Sequence, residues 1–335
     1  MDAATTEHPR GTGAPLNVLV WHVHGSWTTS FVQGPHTSLL PTDPALGQWA
    51  LGRCGRPWPE RAVEVAPADL REQPIDVVIL QRPEEIGLTA EWTGRPPGRE
   101  LPALYVEHNT PREHAATSRH PLAERSDIPV VHVTDFNRLM WDCGRAPTAV
   151  VPHGIPDPGH RYTGTIPHAA TCINEPVRRG RITGTDLLAP LSAAAPIDVF
   201  GMGTDGLHTA LGCPPERVSG RGDHRTERLH AELAERRVFL HTPRWTSLGL
   251  SVLEAMYLGM PVVAVGTTEA AAAIPPEAGV VSTDPEILAD GIRQFVAEPI
   301  FAALSGKVAR HWAETNFGID AFVRRWQTLL AQAAR

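Results

Sequence analysis

The chain has 335 residues, with 30 basic and 37 acidic side chains and a formal net charge of -7. That length suits about two domains, and an acidic balance without a long basic run speaks against a nucleic-acid scaffold. No apolar segment approaches the ~18 residues that a membrane span needs, so no transmembrane segment is expected.

Residues 1–14 lack an apolar core and read as a disordered tail rather than a secretory signal. Leu16–Val23 is a first strand, and His24-Gly-Ser-Trp-Thr-Thr-Ser after it reads as a loop. Ile75–Leu80, Pro102–Val106, Ile128–Val133 and Thr148–Val151 are short apolar runs of the kind buried on both faces of a sheet. The stretch from Asp157 to Pro167 is rich in proline and glycine and reads as a linker. Beyond it come strands at Ala170–Asn174, Ile197–Phe200, Val238–His241, Pro261–Val265 and Gly279–Ser282. Helical stretches lie between them at Gly184–Ala193, Thr226–Glu235 and Asp284–Ala297, with a last helix at Ala321–Ala331. This alternation predicts an α/β fold with parallel sheets and right-handed crossovers. Ten strands are many for one sheet. The expectation is two Rossmann-like domains, at 15–160 and 161–318, followed by a C-terminal helix within 319–335. Ligands of such enzymes sit at the carboxyl ends of strands and in the cleft between domains.

Cys54, Cys143, Cys172 and Cys213 are scattered without a C-x-x-C pair. Reduced thiols of a cytoplasmic protein fit better than disulfides or a metal site. His22 and His24 lack a third suitably spaced ligand, so no metal is expected. Lys307 is the single lysine beside 29 arginines. Any phosphate clamp must therefore use arginine, histidine or helix N-termini.

The most informative segment is Arg244-Trp-Thr-Ser-Leu-Gly-Leu-Ser-Val-Leu-Glu-Ala-Met-Tyr-Leu-Gly-Met-Pro-Val-Val-Ala264. Leu250, Leu253, Met256 and Tyr257 have helical spacing. Gly259 and Pro261 end that helix, and a buried strand follows. Glu254 interrupts the apolar pattern about one turn in. Its side chain leans toward the helix N-terminus, where the free N–H groups of Gly249, Leu250 and Ser251 form an anion site. Donors for phosphate beside a carboxylate for hydroxyls suit a sugar nucleotide. The alternative is that Glu254 is a solvated helix residue.

The segment resembles the nucleotide-sugar motif of glycosyltransferase family 4, whose fold is GT-B: two Rossmann-like domains with parallel sheets facing a central cleft. Gly249, Leu250, Glu254, Ala255, Met256, Gly259, Pro261, Val262, Val263 and Ala264 match it. The resemblance implies that Glu254 holds the donor ribose. The family's first glutamate is replaced by Thr246, which leaves the donor sugar open. Thr246, Ser247, Leu248, Gly249, Leu250 and Arg244 form the rest of the expected donor loop. Val130 to Gly144, Ala149-Val-Val-Pro-His-Gly-Ile155 and Ile182-Thr-Gly-Thr-Asp-Leu-Leu188 resemble further family segments in the same order, and the resemblance implies that the helix in 319–335 packs back on the N-terminal domain. The family's phosphate-binding lysine is Thr183 here, so Arg178 and Arg181 are the expected phosphate ligands, or else a solvated basic loop.

His108 follows a strand end in Tyr105-Val-Glu-His-Asn-Thr-Pro111 and corresponds to a family histidine of the donor-sugar pocket, although a lone histidine is also commonly structural. Glu107 and Asn109 are its neighbours. Gly25 matches a glycine near the diphosphate and acceptor, or serves a tight turn. Trp27 either stacks on an acceptor ring or packs under its loop, and Asn109 is a second acceptor candidate. The activity implied is retaining, metal-independent transfer from a nucleoside-diphosphate sugar to a hydroxyl acceptor, with no cofactor. Front-face attack, with the leaving phosphate taking the acceptor proton, is part of that implication. A non-catalytic GT-B nucleotide-binding protein and a GT-B sugar-nucleotide epimerase are the alternatives.

Overall fold

A computed structural model describes residues 14–335; nearly all of the expected N-terminal tail lies outside the described residues. Two all-parallel sheets organise the chain. The first contains β1 (Asn17–Val20), β2 (Thr37–Pro41), β3 (Ala62–Val65), β4 (Val77–Leu80), β5 (Ala103–Glu107), β6 (Val130–His132) and β7 (Thr148–Val150), in the order β3-β2-β1-β4-β5-β6-β7. The second contains β8 (Ile166–Cys172), β9 (Ile197–Phe200), β10 (Val218–Gly222), β11 (Arg236–His241), β12 (Val262–Val265) and β13 (Gly279–Ser282), ordered β10-β9-β8-β11-β12-β13. In each sheet the order reverses beside a central strand, β1 or β8, which opens a crevice at the carboxyl ends.

The central strands read as continuous apolar runs because both faces are covered; β7, expected to be buried on both faces, lies at a sheet edge and is exposed or half-buried along its length. In β4, Val77 and Ile79 join the core on one side, Val78 and Leu80 that on the other. In the second sheet Val262 and Ala264 of β12 face one core, Val263 and Val265 the other. The helix Leu250–Leu258 packs on the first of these through Val252, Leu253 and Met256. It ends at Gly259, whose φ of 91° is left-handed and favours glycine.

All ten expected strands form, and β2, β3 and β10 are added. The loop expected after β1 is instead a helix, Gly25–Phe31. Its hydroxyl side chains explain both the misreading and the helix. Thr28, Thr29 and Ser30 donate to the carbonyls of His24, Gly25 and Ser26 at 3.0, 2.8 and 3.3 Å, so residues that usually compete with helix bonding here reinforce it. The expected helix Gly184–Ala193 is a 3₁₀ turn, Thr185–Leu187, running into the short helix Leu188–Leu191.

The chain passes between the sheets twice. It leaves the first after β7 and returns before the helix Ile319–Ala333, whose Phe322, Trp326 and Leu330 are buried in the first domain's core. The two crossings touch: Ile155 donates its N–H to the Phe317 carbonyl at 3.1 Å, and Ile155 bridges Gly318 in parallel. Gly154 is crowded there. A Cβ on it would lie 2.5 Å from Phe322 Cβ and 2.9 Å from the Gly318 oxygen.

Candidate active site

A cavity of about 440 Å³ lies between the domains, lined from both sheets. The first domain contributes His24, Gly25 and Trp27 after β1, Arg56 from the loop before β3, His108 after β5 and His153 after β7. The second contributes Asn174, Phe200, Gly201, Asp223 and His224 at strand ends, then Leu248, Leu250, Ser251 and Glu254 from the motif. Every strand involved presents its carboxyl end.

Glu254 lines this cavity with 14% of its side chain exposed, and Oε2 lies 3.3 Å from His230 Nε2. It is therefore held in place rather than solvated. One turn earlier, the N–H groups of Leu250 and Ser251 have no backbone acceptor among the described residues, as expected of a helix N-terminus. Ser247 is buried with its hydroxyl unpartnered among the described residues. Thr246 turns its hydroxyl onto the Ser247 carbonyl at 2.9 Å. Gly249 precedes the helix so closely that a Cβ would lie 3.1 Å from His241 Cε1.

His108 is buried at the back of the cavity. Gln81 donates through Nε2 to the Trp21 carbonyl at 2.7 Å, which turns its Oε1 toward His108 Nε2, 2.9 Å away. That arrangement makes Nε2 the protonated nitrogen and leaves Nδ1 as an acceptor. Burial, with the fields of His24 and His153, pushes the imidazole well below its usual range. It is neutral at pH 7. His153 is 6% exposed and its Nδ1 has no partner among the described residues; burial pushes it down to about 4.

The expected residues do not all gather. Gly25, Trp27, His108, Leu248, Leu250 and Glu254 line the cavity. Trp27 is almost fully buried, stacked on Phe31 at 5.0 Å and edge-on to Trp326 at 5.6 Å. It packs into the first domain's core against the C-terminal helix. Asn109 faces Glu107, its N–H 2.7 Å from Oε1. Arg178 and Arg181 are 71% and 76% exposed and lie outside the lining, paired with Glu175 and Asp186. Arg244 also binds Asp186, through two bonds of 2.5 and 3.0 Å. His22 is tied to the Gly52 carbonyl at 2.9 Å.

Arg56, His153, Asn174, Asp223 and His224 were not singled out by sequence. Each sits in a loop between strands, where no periodic pattern marks which side chain turns inward. A direct clasp joins the domains nearby. Trp245 Nε1 donates to the Pro111 carbonyl at 2.7 Å, and Glu269 Oε2 accepts from the Phe136 N–H at 3.0 Å.

Residues 194–298 match the family model described as glycosyl transferases group 1. A stretch of 102 residues is 28% identical to an alpha-1,3/1,6-mannosyltransferase, ALG2, of Rhizomucor pusillus, covering 30% of this chain and 22% of that protein. The chain thus spans about a fifth of that curated relative. Among solved structures, sucrose-phosphate synthase from Thermosynechococcus elongatus superposes with a TM-score of 0.69 at 15% identity, covering 95% of this chain and 98% of that one. Anabaena HepE, solved with UDP-glucose, gives 0.69 at 14% identity, covering 95% and 100%. S. aureus TarM gives 0.61 at 17%, covering 76% of this chain and 54% of TarM. Among the described residues no helix is long and apolar enough to cross a membrane. The chain has the GT-B architecture, and a segment of its second domain matches the model of the group 1 glycosyl transferases.

Proposed function

We propose that the protein is a retaining glycosyltransferase that moves a sugar from a nucleoside-diphosphate sugar to a hydroxyl acceptor without a metal ion. The observation that carries this reading is Glu254. It faces an inter-domain cavity beside the open N-terminus of its own helix. A carboxylate can accept from both ribose hydroxyls while the first-turn N–H groups meet the diphosphate. The likeness to HepE, whose structure was solved with UDP-glucose, makes that the first donor to try.

In this reading the donor rests on the second domain and the acceptor enters past His24 and Gly25. Charge develops on the leaving phosphate and is met by preorganised donors. His108, neutral and with its tautomer fixed, orients sugar hydroxyls rather than carrying a proton. The leaving phosphate itself takes the acceptor proton. Arg178, Arg181 and Arg244 stand outside the cavity lining, engaged with carboxylates, so they reach phosphate only by exchanging those partners.

Incubation with UDP- and GDP-sugars, with product analysis, tests the reading. Donor consumption or transfer supports it; binding without turnover or sugar isomerisation overturns it. The same assay with EDTA tests metal independence. Turnover should persist. Its complete loss, restored by Mg²⁺, would show that the diphosphate is neutralised by an ion.

A further inference from the structure

We infer that Arg56, from the first domain, is the phosphate-binding cation of this site and grips the donor diphosphate from the side opposite the helix Leu250–Leu258. The inference rests on the nucleotide-sugar reading above. Arg56 is the one lysine or arginine among the residues lining the cavity. Its guanidinium has no carboxylate or carbonyl partner among the described residues. Such a group, always charged and with five donors, is rarely left without an acceptor where it is half-buried.

Its position is built. Gly25 forms the surface against which the guanidinium lies, and a Cβ there would collide with it. The loop carrying Arg56 turns through three left-handed residues, Gly52, Cys54 and Gly55, with φ of 54, 50 and 71°. It is anchored on both sides. His22 Nδ1 holds the Gly52 carbonyl at 2.9 Å, and Trp58 Nε1 donates to Thr29 Oγ1 at 2.9 Å, tying the loop to the helix Gly25–Phe31.

Charge decides what the cavity takes at this point. The carboxylates Glu254 and Asp223 also line it, but Glu254 is engaged by His230. The histidines His108 and His153 are neutral, and the His153 Nδ1 is buried and unpartnered among the described residues. The cations of the second domain near the motif stand outside the lining: Arg178 pairs with Glu175, Arg181 and Arg244 share Asp186, and Arg179 lies beside the like charges of Arg178 and Arg112. A diphosphate entering beside the first-turn N–H groups therefore meets one guanidinium in the cavity wall, and that guanidinium belongs to the other domain. Donor binding then draws the two domains together.

The test is calorimetry with UDP, GDP and ADP, each beside its nucleoside, on wild-type protein, Arg56→Ala, Arg56→Lys and Glu254→Ala. Wild type should prefer one diphosphate over its nucleoside. Arg56→Ala should lose at least about tenfold in diphosphate affinity and keep its nucleoside affinity, since one charge-assisted contact is removed. Arg56→Lys should recover part of the loss, whereas Glu254→Ala should weaken diphosphate and nucleoside alike. Wild-type diphosphate affinity in Arg56→Ala overturns the role of Arg56 and leaves the transferase reading standing. A wild type that binds none of the diphosphates overturns that reading instead. If inorganic phosphate binds wild type alongside the diphosphate, and Arg56→Ala abolishes only the inorganic phosphate, Arg56 serves an anionic acceptor and the donor assignment falls.

Discussion

Glu254 and Thr246 make opposite demands on the same loop. Glu254 is a charged acceptor whose one oxygen rests on His230, so the other is free for ribose. Glu254→Ala removes charge-assisted bonds of roughly 1.5–3 kcal/mol. Donor affinity should drop at least about tenfold while the thermal transition stays near that of wild type. Calorimetry with the diphosphate decides this, and undiminished affinity in a folded variant would remove Glu254 from the site. Thr246 offers only a short neutral hydroxyl, already turned onto the Ser247 carbonyl. Thr246→Glu should depress turnover of the intact donor more than binding of the bare diphosphate, because the added carboxylate would stand near the sugar. Equal losses in the two measurements would place Thr246 away from the sugar. Helical spacing and a glycine–proline stop fix the register of 250–262 and so made the place of Glu254 legible, whereas Thr246, in the loop before it, comes only from the family resemblance. Arg56 was not legible. Nothing in Arg53-Cys-Gly-Arg-Pro-Trp58 indicates which arginine turns inward; Arg53 turns back onto its own loop, donating to the Trp58 carbonyl.

Among the elements, buried runs declared themselves; of the four edge strands β7 and β13 did and β3 and β10 did not. β4, β5, β11 and β12 are covered on both faces, so their apolar continuity is visible in the sequence. β3 and β10 lie at sheet edges, where exposed Val63 and Glu64 or the glycines of Val218–Gly222 break the pattern. β2 ends in Pro41, a residue that removes a ladder donor. The helix Ile319–Ala333 was expected from the resemblance, and the aromatic partners of its Trp326 lie at the far end of the sequence. Trp326 meets Trp27 and Phe31 edge-on, at 5.6 and 5.3 Å. Trp326→Ala should cost about 3–5 kcal/mol. It should also loosen the helix Gly25–Phe31, which carries Gly25 and Trp27 of the cavity wall. Urea denaturation measures the first effect. Retained full stability would mean that the C-terminal helix docks without supporting the first domain.

At the scale of the whole molecule, several imidazoles are folded in without charge. Burial pushes His132, His153 and His241 down to about 4 from an ordinary 6.5. Below pH 6.5 the unfolded chain takes up protons that the folded chain refuses, so stability falls as pH drops toward 4, by up to about 1.4 kcal/mol per pH unit for each. Glu85 works in the opposite sense: burial raises it to about 7 from 4.5, so its proton is held more tightly when folded. His24 and His108 are pushed down in the same sense, so the imidazoles outweigh the one carboxyl, and urea midpoints should be lower at pH 5 than at pH 7. Equal midpoints would mean that these imidazoles carry protons in the folded state. The paired crossings at Gly154 and Gly318 have a mechanical meaning. Two strands of chain fastened side by side act like the twin knuckles of a door hinge: they permit swing and resist twist and slide. The lips of the cleft should then meet in the same alignment on every cycle, so that Arg56 and Glu254 face one another whenever the door shuts. Gly154→Val would wedge a side chain between the knuckles, against Phe322 and the Gly318 carbonyl. Such a variant should keep its nucleoside affinity through the second domain, lose diphosphate affinity as Arg56 is held off, and turn over far more slowly in the donor assay, the signature of a door that no longer shuts true.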